Sequence, residues 1–201
     1  MIALIDYGIG NLRSVEKAIA HVGADVMLTS EPAVILQADK IVLPGVGAFG
    51  DGMAGLRARE LLAPVREVIR RGTPFLGICL GMQLLFESSD EIGSHAGLGI
   101  LPGKVVRFPE HGLKIPHTGW NQLELSTANP LTEGLNPGDY AYFNHSYFCA
   151  AADPGQVIAR TDYALAFPAM VGRDRLYGVQ FHPEKSQQVG LHILRNFVER
   201  G

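Results

Sequence analysis

The segment Pro74-Phe-Leu-Gly77-Ile-Cys79-Leu-Gly81-Met-Gln83-Leu-Leu-Phe-Glu87 decides the fold. Pro74–Ile78 is a short apolar run that reads as a buried strand, and Leu80–Glu87 reads as a helix. Between them Gly77-Ile78-Cys79-Leu80-Gly81 spells G-x-C-x-G, the thiol form of a nucleophile elbow. A side chain held on so sharp a strand-to-helix turn needs small residues two before and two after it, or they collide. A strand that runs straight into a helix is the repeating unit of a parallel α/β sheet.

Upstream, the same rhythm recurs. Ile2–Ile5 reads as a buried strand ending in Asp6. Asn11 can cap a helix whose apolar positions Leu12, Val15, Ala18, Ile19 and Val22 share one face, with Gly23 as its stop. Val26–Leu28 and Ile41–Leu43 read as the second and third strands, the latter closed by Pro44-Gly45. A helical stretch from about Met53 to Arg71 is interrupted at Pro64. This order predicts parallel strands, joined by right-handed crossovers and buried on both faces.

Downstream the pattern turns to strands: Val105–Phe108, Gly119–Leu125, Tyr140–Tyr147, Val157–Thr161, Ala166–Val171 and Leu176–Phe181. The last, followed by a helix over about Ser186–Glu199, is placed to rejoin the main sheet. The expected architecture is one flavodoxin-like α/β domain over residues 1–201. It is a mixed, mostly parallel sheet flanked by helices, with a β-rich second half packed on it.

Composition narrows the function. The 201 residues carry 17 Lys plus Arg against 20 Asp plus Glu, a net charge of −3, which gives no electrostatic footprint for nucleic acid. The longest nearly apolar stretch, Phe75–Phe86, falls well short of the roughly 20 residues a membrane span needs. No basic residue precedes Arg13, so a secretory signal is not expected. Two cysteines, Cys79 and Cys149, make no disulfide framework, and the reducing cytosol is the expected compartment. Gly is in excess, 24 of 201, which predicts many tight turns or close backbone approaches to a ligand.

The chemistry centres on Cys79. At the start of a helix, unpaired N–H groups favour its thiolate, whereas Cys149, in Tyr147-Phe148-Cys149-Ala150, reads as core. A thiol nucleophile needs a base, and the base an orienting group. Gly178-Val-Gln-Phe-His182-Pro-Glu184 offers both: His182 and Glu184, two apart at a strand end, can face the same way. Pro44-Gly45-Val46-Gly47-Ala48-Phe49-Gly50 follows the third strand, and its exposed backbone is suited to an oxyanion hole, with the N–H of Leu80 as second donor.

Other readings compete. Gly45, Gly47 and Gly50 formally match a dinucleotide fingerprint, but the loop opens with Pro, follows the third strand, and finds Arg66–Arg71 where an acid is required. His182-Pro183-Glu184 matches half of a zinc deaminase signature; the cysteine pair of the other half is missing. No metal and no nucleotide cofactor are expected. A flavodoxin-like binding protein with an oxidisable Cys79 stays open; it would have no need of His182 and Glu184 together.

Gly77-Ile-Cys79-Leu-Gly-Met-Gln83 with Phe181-His182-Pro183-Glu184 resembles the paired signatures of the class I, triad-type glutamine amidotransferases. Four further segments are similar to one of its branches, the glutaminase subunits of imidazole glycerol phosphate synthases. They are Ile5–Leu12, Pro44–Met53, Ile115-Pro-His-Thr-Gly-Trp120-Asn121 and His182-Pro-Glu-Lys185-Ser186. The resemblance runs over essentially the whole chain. It implies the fold of that class and a Cys79-His182-Glu184 triad that hydrolyses glutamine through a glutamyl thioester. It also implies oxyanion donors at Gly47 and Leu80 and glutamine contacts at Gln83, His145, Ser146 and Tyr147. It implies as partner a (β/α)8-barrel cyclase subunit in a heterodimer of histidine biosynthesis. That subunit uses the ammonia to convert phosphoribulosylformimino-AICAR phosphate to imidazole glycerol phosphate and AICAR. Asn11, Trp120, Asn121 and Tyr142 match subunit-facing positions; the only Trp, flanked by polar groups, suits an interface. Another triad amidotransferase with a different acceptor is the nearest rival. The loop Glu110-His111-Gly112 has no role in the resemblance.

Overall fold

The computed structural model describes residues 1–110 and 112–201, so of the loop Glu110-His111-Gly112 the middle residue lies outside the described residues. The first half builds β1 (Ile2–Ile5), α1 (Leu12–His21), β2 (Val26–Thr29), α2 (Pro32–Gln37), β3 (Lys40–Gly45), α3 (Phe49–Ala58), α4 (Leu62–Arg70), β4 (Phe75–Cys79) and α5 (Leu80–Gln83). Then come β5 (Phe86–Ser89), β6 (His95–Ala96), β7 (Leu101–Arg107), β8 (His117–Gln122), β9 (Glu124–Leu125), β10 (Tyr140–His145) and β11 (Tyr147–Ala151). The chain closes with β12 (Val157–Asp162), β13 (Ala166–Arg173), β14 (Leu176–Val179) and α6 (Gln187–Arg200).

The main sheet runs β2-β1-β3-β4-β14-β13-β12-β9. Its first five strands are parallel, and β13, β12 and β9 continue it antiparallel. Two-residue alternation sorts the core onto two faces. Leu4, Val42, Leu76 and Ile78 meet α1 and α6 through Val15, Ile19, Leu194 and Phe197. Ala3, Ile5, Ile41, Leu43 and Phe75 meet α2, α3 and α4 through Ile35, Met53, Leu56 and Val65. A second sheet has the order β11-β7-β5-β6 and packs into the core through Phe86, Leu101, Val105 and Cys149, and β10 and β8 form a separate antiparallel pair. Among the described residues no helix is long and apolar enough to cross a membrane.

Several boundaries differ from the sequence expectation. The helix after Cys79 is a single turn, not a run to Glu87. The carbonyls of Leu84 and Leu85 are claimed by the N–H groups of Leu98, Ile100 and Leu101, and Phe86–Ser89 is drawn into the second sheet beside β7. The long helical stretch breaks at Glu60, where φ is +57°, while Pro64 sits in the first turn of α4, where its missing N–H costs nothing. Asn11 starts α1 with its carbonyl, which accepts from Ser14 and Val15, but its exposed side chain makes no cap hydrogen bond. The expectation of burial on both faces fails at β2, an edge strand with Met27 and Leu28 exposed. Tyr140–Tyr147 is two strands because the chain leaves β8 for β7 at Ser146, and Gly119–Leu125 is likewise split at Leu123 between β10 and β12. Helix α2 carried no sequence expectation.

Candidate active site

Cys79 ends β4 with φ +53° and ψ −107°, a backbone conformation an L-residue holds only when its surroundings force it. The surroundings here are glycines. A Cβ on Gly77 would come within 2.7 Å of the Gly81 carbonyl oxygen, and one on Gly81 would strike the carbonyl of Leu43. The collision that the G-x-C-x-G spacing predicts is therefore real at both positions. Register places Gly45 of β3 directly beside Cys79, and Val179 of β14 beside Ile78. The cysteine thus stands at the carboxyl ends of the central parallel strands, where open α/β sheets hold their ligands.

β14 leads straight on to His182, whose N–H donates to the Tyr142 carbonyl at 2.9 Å. Its Nδ1 lies 2.9 Å from Glu184 Oε1, and both side chains are almost wholly buried. The carboxylate's other oxygen, Oε2, is buried and has no hydrogen-bond partner among the described residues. The imidazole and the Cys79 side chain line the same cavity. With Nδ1 taken by Glu184, Nε2 is the nitrogen left for sulfur. Burial alone would lower the pKa of His182. The interactions with Cys79 and Glu184, and the charges of both, outweigh it and raise the pKa from 6.5 to about 10. A thiol, an imidazole and a carboxylate in line can hold and move one proton.

These groups open on a cavity of about 140 Å³. Its walls bring together Gly47, Cys79, Leu80, Gln83, His145, Ser146, Tyr147 and His182. Val46, Glu91, Asn144 and Lys185 line it too, and the sequence reading had not singled them out for the site. Glu91 comes from the loop after β5, and its carboxylate also accepts the N–H of Phe49 at the start of α3. Gly47 has φ +100° and open space where a Cβ would be, so the loop passes the cysteine with bare backbone. Gly45 is closed on its other side by Tyr7, whose buried hydroxyl has no partner among the described residues. Burial first, then the charge of Cys79, pushes that phenol above its ordinary value.

His145 has both ring nitrogens engaged: Nδ1 with the Tyr147 carbonyl at 2.7 Å, Nε2 with His117 Nδ1 at 3.2 Å. Its ring is part of the cavity wall without a spare nitrogen for a ligand. Burial lowers His117 to about 4 and, with smaller contributions from His117 and His182, lowers His145 to about 3, so both are neutral near pH 7. Cys149 is fully buried and its thiol is pushed well up, first by burial, as befits a core residue.

Four other sequence candidates stay outside the cavity. Trp120 is 45 % exposed, which rules out a core role, and packs edge-on to Tyr142 with ring centroids 6.0 Å apart. With Tyr140 and Val189 it lines a surface groove. Lys185 joins the two regions: it lines the cavity, and its Nζ lies 5.7 Å from the Tyr142 ring centre. Asn121 binds the Asp162 carbonyl and His117, and Asn11 is exposed on the loop before α1. Among the described residues no group of three or more His, Cys, Asp or Glu is arranged to hold a metal ion.

Residues 3–200 match the family model for glutamine amidotransferase class-I. The imidazole glycerol phosphate synthase subunit HisH of Syntrophotalea carbinolica is 53% identical, over 98% of each chain. That of Salinibacter ruber is 51% identical, over 98% of this chain and 94% of its own. The chain belongs to the class I glutamine amidotransferases, among the HisH subunits. Glutaminase activity comes with that membership. The fold agrees with that of solved structures at far lower identity. A glutamine amidotransferase crystal structure superposes with a TM-score of 0.78 at 20% identity, covering 99% of this chain and 98% of that one. PurLQS from Thermotoga maritima gives 0.78 at 19%, covering 98% and 96%.

Proposed function

We propose that residues 1–201 act as one glutamine amidotransferase domain in which Cys79, His182 and Glu184 release ammonia from glutamine for a cyclase partner in histidine biosynthesis. The observation that carries this reading is the strained Cys79 turn sharing one cavity with an imidazole that Glu184 holds from behind. Cys79 Sγ attacks the carboxamide carbon. The oxygen gathers negative charge beside the backbone of Gly47 and Leu80, and one well-placed N–H there is worth about 2.7–4 kcal/mol. His182, protonated, gives its proton to the departing nitrogen, and a glutamyl thioester remains. Water, deprotonated by the same imidazole, attacks the thioester and restores the thiolate as glutamate leaves. Glu184 keeps the ring turned toward sulfur. Glu91 supplies a carboxylate at the cavity wall, the complement of an amino acid's ammonium group.

The ammonia goes to a (β/α)8-barrel cyclase subunit bound at the face carrying Asn11, Trp120, Asn121 and Tyr142. An exposed Trp beside a Tyr is the composition of an interface anchor, and Lys185 links that face to the cavity. Two free cysteines suit the reducing cytosol. The test is glutamate release by the purified chain, alone and with a barrel cyclase and its nucleotide ligand, beside a Cys79→Ala control. Release that depends on Cys79 and rises in the ligand-bound complex supports the reading. A folded complex that releases nothing overturns the pathway assignment.

A further inference from the structure

Gln180 lies between β14 and His182, is fully buried, and takes no part in the mechanism above. Its Nε2 lies 3.7 Å from Cys79 Sγ. The direction of that contact follows from a main-chain group. The carbonyl oxygen of Tyr147 can only accept. Gln83 Nε2 lies 3.0 Å from it and 3.1 Å from Gln180 Oε1, and an amide nitrogen has two hydrogens. Gln83 therefore donates to both oxygens. Gln180 is left to accept with its oxygen, which turns its own N–H toward sulfur. His145 Nδ1 donates to the same carbonyl at 2.7 Å, taking its second lone pair.

We propose that Gln180 is a positioning residue for the nucleophile: its amide N–H, aimed by Gln83 and the Tyr147 carbonyl, favours the Cys79 thiolate over the thiol and fixes Sγ toward the cavity. A thiolate is a strong acceptor and a thiol a weak one, so a fixed donor at sulfur discriminates between them. Gln180 and His182 lie two residues apart just past the end of β14, and both serve Cys79, one neutral and one charged. The neutral donor does not titrate, and it keeps its hold on sulfur when the imidazolium has given up its proton. The inference rests on the reading of Cys79 as nucleophile.

Two variants of the full chain test it, Gln180→Met and Gln180→Glu. Met keeps the length and loses the donor; Glu keeps the acceptor for Gln83 and loses the N–H toward sulfur. The rate of Cys79 alkylation by iodoacetamide is followed by mass spectrometry from pH 6 to 9, with the thermal midpoint and glutaminase kinetics alongside. In either folded variant, alkylation at pH 7 is expected to slow about tenfold, the deficit shrinking as pH rises, and kcat to fall with KM little changed. A purely structural Gln180 lowers the midpoint and leaves the pH dependence of alkylation as in the wild type; that result in a folded variant overturns the proposal. Cys79→Ala, run in parallel, separates the two failures. Hydrolysis that survives without Cys79 removes the nucleophile itself. An inactive Cys79→Ala beside unchanged alkylation in the Gln180 variants removes only the role of Gln180.

Discussion

His182 Nδ1 and Glu184 Oε1 lie 2.9 Å apart, with 4 % and 2 % of their side chains exposed. Such a pair holds an imidazole in one tautomer and one direction. Replacing the carboxylate with an amide keeps the shape and loses the charge. Glu184→Gln is expected to cut glutaminase kcat/KM by about a hundredfold or more, yet by less than His182→Ala does. Steady-state glutamate release by the two variants checks the order. Equal collapse with a lowered thermal midpoint in Glu184→Gln would instead mark a structural residue.

The same pair fixes a pH dependence. His182 titrates near 6.5 unfolded and about 10 folded, so its protonation stabilises the fold fully below about pH 6.5 and ceases to do so as pH rises through 10. Chemical unfolding of wild type and Glu184→Gln from pH 6 to 10 should show the wild type's advantage shrinking upward. An advantage that grows with pH would contradict the assignment.

His117 and His145 act in the opposite direction. Both are buried neutral, with folded values of about 4 and 3. The unfolded chain takes up their protons first, so their contribution is whole above pH 6.5 and is lost as pH falls toward 4 and 3. Two such groups give a slope of about 2.7 kcal/mol per pH unit between roughly pH 6 and 4. Stability measured across that window in wild type and in a His117→Gln, His145→Gln double variant should differ by that slope.

Gly81 is expected to tolerate no side chain. A methyl group there runs into the Leu43 carbonyl, which is main chain and cannot swing aside. Gly81→Ala should cost about 3 kcal/mol, the upper part of the overpacking range, and lower Tm by about 6–12 °C. Differential scanning calorimetry decides it; an unchanged Tm would mean that the elbow relaxes without cost.

Trp120 is half out in solvent, so truncating it should leave folding nearly untouched. Trp120→Ala is expected to weaken binding of a cyclase subunit by about 1–2 kcal/mol, five- to thirtyfold in Kd, measured by calorimetric titration. A large loss of Tm with unchanged Kd would place the indole in the packing of the chain itself.

Much of this was legible in the residues. The apolar runs of β1, β3, β4 and β14 mark the sheet, and Gly77 and Gly81 announce the turn that Cys79 occupies because their sterics are local. His182 and Glu184 were legible as a pair for the same reason, being two residues apart. What escaped is non-local. The helix after Cys79 ends early where the next carbonyls, those of Leu84 and Leu85, accept from Leu98, Ile100 and Leu101, more than ten residues downstream. Gln180 sits in the quoted motif, but its meaning depends on partners 97 and 101 residues away. Glu91 follows no periodicity and reaches the cavity from the loop between β5 and β6, while Lys185 lies in the turn just after His182.

The acceptor that orients Gln83 and His145 together is supplied by the peptide group of Tyr147, not by its phenol ring. Every residue type carries that carbonyl, so no substitution at position 147 deletes it, and the polarity of the amide relay is encoded by the path of β11 instead of by any side chain. Drift in the side chain there can retune what the cavity admits while the direction in which hydrogen bonds point at the sulfur is inherited unchanged.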